Sequence, residues 1–186
     1  DVPVVQMDSV IGNKSGKVLL TMFSRNTNLL LAFLRDHNTA RSVLDVFNDL
    51  YAMFGRETYC RLFPVILTDR GSEFSNPVPI EQDENDELRS LVFYCNPSVP
   101  YQKGGIEVAH ELVRRVLPKG KSFDDLQQED IDLMLSHINS YKRGKLNSRS
   151  AYQLFNFIYG DDILPKLNIR EIEANDIVLS PKLLKK

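Results

Sequence analysis

A chain of 186 residues with 42% hydrophobic and 26% charged residues is long enough for one domain with a sizeable core and too apolar to be disordered. It carries no apolar run approaching a membrane span and no basic-then-apolar leader. A formal net charge of −2 excludes a protein that grips nucleic acid by overall basicity. The charge is unevenly spread, however. Glu81 to Glu87 holds five carboxylates and no basic residue. Lys142, Arg143, Lys145 and Arg149 form one basic cluster, and Lys103, Arg114, Arg115, Lys119 and Lys121 another. Such runs are first read as solvated faces; only a place beside a site gives them a role. Cys60 and Cys95 with three scattered histidines make no zinc-ligand spacing and are read as free thiols, as in a reducing cytoplasm. The chain begins at Asp1 without Met, as expected of an excised domain or a processed product.

In chain order, Val4 to Ile11 is an apolar run broken by Gln6 and Asp8. Lys17 to Arg25 and Asn28 to Arg35 are two more short strand-like runs bounded by Gly, Ser and Asn, and the three predict an antiparallel meander. Thr39 then suits an N-cap, with Ala40, Val43, Leu44, Phe47, Leu50 and Phe54 at helical spacing until Gly55. Pro64 to Asp69 (PVILTD) predicts a fourth strand ending in an acid, residues 77–90 an acidic loop, and Leu91 to Cys95 a fifth strand. A helix is expected from about Gly105 to Leu117, with Ile106, Ala109, Val113 and Val116 on its buried face. A further one is capped by Ser122 and buries Ile131, Met134, Leu135 and Ile138. A last helix is expected at Ala151 to Tyr159. This order predicts an α/β fold, a mixed five-stranded sheet (three antiparallel strands, then two more) flanked by helices.

Three acids stand out. Asp8 interrupts an apolar strand, and an unpaired buried carboxylate costs several kcal/mol, so a partner or a cation is expected there. Asp69 repeats the situation at a strand end, where α/β sheets commonly open onto a site, although TDRG is also a good turn sequence. Two carboxylates on neighbouring strands could hold divalent cations about 3.5–4 Å apart, as in two-metal phosphoryl transfer. Glu107 opens the next helix opposite its apolar face, with His110, Glu111 and Arg114 along the same side. An acid followed two turns later by an arginine could hold a metal and meet a phosphate about 10 Å away; the same spacing also describes a solvated helix face.

The ordered blocks VVQMDSVIG, LLT with Arg25, TDRGSEF, VFYCNPSVPYQKGGIE, HELVRRVLPKG and SAYQLF resemble bacterial insertion-sequence transposases of the IS-thirty group, within the superfamily of DDE transposases and retroviral integrases. The resemblance covers roughly residues 4 to 160 and extends into the tail. It implies a ribonuclease H-like fold, with residues 1–160 as catalytic core and 161–186 as a C-terminal extension of the same domain. It implies further that Asp8, Asp69 and Glu107 are the catalytic acids and hold magnesium or manganese, two ions in all. Arg114 matches the basic residue seven positions after the third acid, and Gln102 and Lys103 fall in the group's aromatic-Gln-basic-Gly block; with His110 these are the expected DNA contacts. Tyr101 stands where many members have Trp, and Val108 and Ala109 where a polar residue usually flanks the acid.

The implied activity is metal-dependent DNA strand cleavage and strand transfer in transposition. The implied partners are DNA ends and target, an upstream helix-turn-helix region of the same protein, and further copies on DNA, in a bacterial cytoplasm at the nucleoid and without a membrane. Two other functions stay open: a ribonuclease H-type nuclease, whose acid set usually includes a fourth member, and a domesticated or inactive transposase domain that only binds DNA or protein. Glu111 is the rival third ligand, Glu73 is expected to stabilise its loop, and His37 and His137 receive no functional role.

Overall fold

The computed structural model describes residues 2–13, 15–96 and 100–185. Residues 97–99, and the side chains of Pro100, Tyr101 and Lys145, lie outside the described residues, and with them the Tyr101 departure and one member of the second-half basic cluster. The chain opens with β1 (Val4–Ile11), β2 (Val18–Ser24) and β3 (Leu30–Arg35), paired antiparallel as expected. β4 (Val65–Thr68) then joins the other side of β1 in parallel, and β5 (Leu91–Tyr94) continues parallel to β4, for a strand order β3-β2-β1-β4-β5. Because helices cover both faces, the inner strands read as apolar runs rather than alternations; Val18 to Phe23 is buried throughout.

A parallel neighbour needs a crossover, and α1 (Ala40–Leu62) supplies it between β3 and β4. Thr39 and Ser42 cap its start reciprocally, and Val43, Phe47, Leu50 and Phe54 form the buried stripe. The expected stop at Gly55 is corrected: the chain kinks there (φ 73°, ψ 165°) and resumes as helix to Leu62, burying Tyr59. Glycine adopts this positive φ without the Cβ clash that other residues meet, so one residue resets the helix instead of ending it. The acidic segment 77–90 is also more ordered than expected. It starts with α2 (Val78–Glu81), and Asp83 ties it to α1 by accepting from Tyr51 Oη at 2.8 Å and Arg56 Nη1 at 3.0 Å.

α3 (Gly104–Val116) buries the predicted Ile106, Ala109, Val113 and Val116. The next helix, α4 (Gln128–Ser140), starts six residues after Ser122, which caps only a turn through Asp124 N. The physical reason for the later start lies on the sheet. β3 is an edge strand, and α4 runs antiparallel to it with two amides aimed at its open hydrogen-bonding groups. Asn139 Oδ1 accepts from Leu30 N and its Nδ2 donates to Leu30 O, while Gln128 Oε1 accepts from Leu34 N and Nε2 donates to Ala32 O. The edge is closed by side chains in place of a sixth strand.

α5 (Ala151–Tyr159) has the expected bounds, and α6 (Ile163–Lys166) follows. The tail lies against α4, with Arg170 N, Ile172 N and Val178 N donating to Ser136 Oγ, Ser140 Oγ and His137 Nδ1. No described helix is long and apolar enough to cross a membrane.

Candidate active site

β1 and β4 are paired in register through Gln6 and Leu67, and the same register carried two residues on sets Asp8 beside Asp69. Thr68 Oγ1, donating to Met7 O at 3.2 Å, straps the two strands at that point. Each carboxylate uses one oxygen to hold its own backbone. Asp8 Oδ1 accepts from Ser9 N at 2.8 Å, and Asp69 Oδ1 accepts from Gly71 N at 2.9 Å in an Asx-type turn. Their remaining oxygens meet one ammonium: Lys103 Nζ lies 2.9 Å from Asp8 Oδ2 and 3.2 Å from Asp69 Oδ2. Asp69 thus realises the turn reading of TDRG and also converges with Asp8 on Lys103.

Lys103 precedes α3 and is buried, which is unusual for a lysine and requires these two partners. Gln6 holds its backbone from both sides. The fully buried Gln6 side chain donates to Gln102 O at 2.7 Å and accepts from Ile106 N at 2.8 Å, satisfying one open donor of the α3 N-terminus. The close approach of α3 to the sheet depends on Gly105, where a Cβ would come within 2.5 Å of the Phe23 ring and 3.0 Å of Gln6 Oε1.

Glu107 sits in the first turn of α3, exposed and with no described partner. Among the described residues no three acids, histidines or cysteines are close enough to share one ion, so Asp8 and Asp69 are brought together and Glu107 is not joined to them. Of the flanking departures, Ala109 is fully buried and belongs to the core, whereas Val108 is exposed beside Glu107.

His110 turns inward. Its Nε2 lies 2.8 Å from Thr21 Oγ1, and that hydroxyl is 3.0 Å from Asp8 O. Thr21 gives its one proton to the carbonyl, so His110 Nε2 is assigned as the donor and the ring braces the strand carrying Asp8. Burial holds the imidazole below its ordinary pKa, with Asp8 opposing and Lys103 and Arg114 reinforcing the shift. Arg114 donates through Nη2 to Ile11 O at 3.1 Å; its buried Nη1 has no partner among the described residues, and desolvation lowers the pKa of the guanidinium. Arg115 is exposed. Gln102 caps Asn96 N through Oε1 at 2.8 Å. Glu73 does stabilise its loop: Oε1 accepts from Ser9 Oγ at 2.8 Å. Ser9 in turn accepts from the buried Arg35, whose pKa burial pulls down to about 10 against the pull of Glu73.

Gln6, Thr21 and Arg35 were not expected at the site. For Gln6 the signal was present: a polar residue in an apolar strand, two positions before Asp8 and so on the same face. Nothing local marks Thr21 or Arg35.

Asp8 Oδ2 and Asp69 Oδ2 meet at one positive charge, so the donor set is chemically suited to a divalent cation, with hard oxygen ligands and partial exposure. No protein-family model matches the sequence. The chain is 28% identical over 151 residues, 81% of its length, to a protein named integrase ORF3 of Spiroplasma virus SpV1-R8A2 B, and 22% identical over 147 residues, 79% of its length, to the transposase InsI of insertion sequence element IS30A of Escherichia coli K12. It spans 45% and 36% of those relatives, less than half of either. The catalytic core domain of BIV integrase superposes with a TM-score of 0.54 at 21% identity, covering 84% of this chain and 92% of that one. This chain is a homologue of insertion-sequence transposases and integrases, those of IS30 among them, built on the ribonuclease H-like fold of integrase catalytic cores.

Proposed function

We propose that this chain is the catalytic core of an enzyme that cuts DNA and joins the cut end to a new site by metal-dependent phosphoryl transfer. The observation that carries the reading is the convergence of Asp8 and Asp69, from adjacent parallel strands, on a single positive charge. Asp8 Oδ2 and Asp69 Oδ2 would hold magnesium or manganese, and Glu107 would complete the set. Bound there, two such ions supply charge stabilisation for the attacking and leaving oxygens of an in-line transfer.

The protein's own part is positioning. Gln6 fixes the turn before α3, His110 and Thr21 brace the strand of Asp8, and Arg114, whose Nη1 is buried without a partner among the described residues, would meet a backbone phosphate once its guanidinium turns outward. Gln102 and Lys103, adjacent in the turn before α3, would follow the DNA strand. The substrates in this reading are element ends and target DNA in the cytoplasm, engaged by several copies of the chain and selected by an upstream helix-turn-helix region of the same protein.

The test is strand joining with a pre-cut DNA end, magnesium and the full-length protein carrying this chain. Joined product that is lost in Asp8→Asn, Asp69→Asn and Glu107→Gln supports the reading. Cleavage without joining would move the assignment to a ribonuclease H-type nuclease. Normal joining by Glu107→Gln would remove Glu107 from the site.

A further inference from the structure

We propose that Lys103 is an internal counter-ion that occupies the cation position between Asp8 and Asp69, and that loading a divalent metal requires its ammonium to swing out. The proposal rests on the metal-site reading above and adds the gate through which that site is filled.

Two carboxylates directed at each other in a partly buried cleft repel, and the repulsion grows as water is excluded. In this chain the ammonium of Lys103 relieves it, at 2.9 Å and 3.2 Å from the two oxygens. Metal–oxygen distances for magnesium or manganese are about 2 Å. An ion bound to the same two oxygens would overlap the volume of Nζ, so the two cations exclude each other. The lysine suits an exchange. Its backbone is clamped by Gln6 through Gln102 O and Ile106 N, while the four-carbon stem and compact charge can rotate away as a unit. A released ammonium beside the acids is placed for a DNA phosphate. Phosphate and acids then compete for Lys103, so DNA binding empties the cation position, and by linkage metal binding favours DNA. The same lysine thus serves as resting counter-ion and as phosphate ligand, and the acids are never left bare.

The probe is manganese alone, without DNA, titrated by electron paramagnetic resonance and calorimetry into the protein and into Lys103→Gln, Lys103→Arg, Asp8→Asn and Asp69→Asn. Removing the competing charge in Lys103→Gln should tighten manganese binding about ten-fold or more, while Lys103→Arg stays near the parent. In chelator, Lys103→Gln should melt lower than the parent, and manganese should restore it. Should Lys103→Gln not fold without metal, magnesium titration of the unmodified protein followed by NMR of the lysine ammonium groups carries the test: the protected Lys103 signal should disappear as the site fills. Equal or weaker manganese binding by a folded Lys103→Gln, with binding lost in both aspartate variants, would overturn the gate and leave the metal site standing. A Lys103 signal unchanged at saturating magnesium would do the same. Parent-like manganese binding in both aspartate variants would remove the site itself, and the gate with it.

Discussion

Two polar systems inside this chain are satisfied in opposite ways. Along the β3 edge, four backbone groups of Leu30, Ala32 and Leu34 each receive a partner from the neutral amides of Gln128 and Asn139, at 2.8 to 3.0 Å. At the β1–β4 end, Asp8 and Asp69 share one ammonium, Glu107 has no described partner and Arg114 Nη1 is buried with none among the described residues. A neutral, fully paired network stabilises and specifies one arrangement. A charged, under-paired one holds interaction capacity in reserve for a ligand, and perturbed or unpaired charge in a cleft is the usual mark of a site. The contrast divides α4, which builds the domain, from the start of α3, which equips it.

The largest expected effect is at the charged end. Asp8→Asn, Asp69→Asn and Glu107→Gln should each lower strand transfer about a thousand-fold or more, as loss of one member of a concerted site does. Circular dichroism melting should show each variant folded, because every substitution keeps the side-chain shape. A fully active Asp8→Asn would end the comparison by making that end structural too.

Asn139→Leu attacks the other side. It strips partners from both Leu30 N–H and Leu30 C=O inside the fold and should cost about 2–4 kcal/mol in denaturant unfolding. Transfer activity per folded molecule should be unchanged; a neutral result would mean that water or a neighbouring group closes the edge equally well.

Arg114 against Arg115 sharpens the assignment of the α3 face. Arg114→Ala should remove a charge-assisted contact of roughly 1.5–3 kcal/mol, lowering strand transfer about ten- to a hundred-fold. Arg115, rotated about 100° further round the helix and exposed, should matter far less. Equal small losses at matched salt would deny Arg114 any special place.

The smallest effect is a pH dependence in the structural half. Burial, then Arg170, holds the His137 imidazole below its ordinary pKa, with Asp176 opposing, and Nδ1 accepts from Val178 N at 3.0 Å. A histidine with a depressed folded-state pKa binds its proton more readily when unfolded. Its stabilising share is therefore complete above the unfolded value of about 6.5 and is lost as pH falls through the folded value. Melting temperatures between pH 7.5 and 5 should fall less steeply for His137→Gln than for the parent.

Much of this was legible along the chain. The three-strand meander, the Thr39 cap, the buried faces of α3 and α4 and the bounds of α5 follow from apolar period and capping chemistry, which act over a few residues. Asp8 and Asp69 were visible because a carboxylate in an apolar strand has few inexpensive explanations. The kink at Gly55 was not, since a glycine that ends a helix and one that redirects it look alike until Tyr59 has somewhere to pack. Neither was the start of α4, set by where Gln128 must stand to meet β3. The position of Lys103 is the clearest case. Its partners lie 95 and 34 residues away, and a lysine's long stem reaches many sites, so local pattern placed it only in a basic cluster and the family resemblance alone gave it to DNA. The tertiary structure decided where that charge rests: the parallel pairing of β1 with β4 and the grip of Gln6 on α3 set it between the two acids.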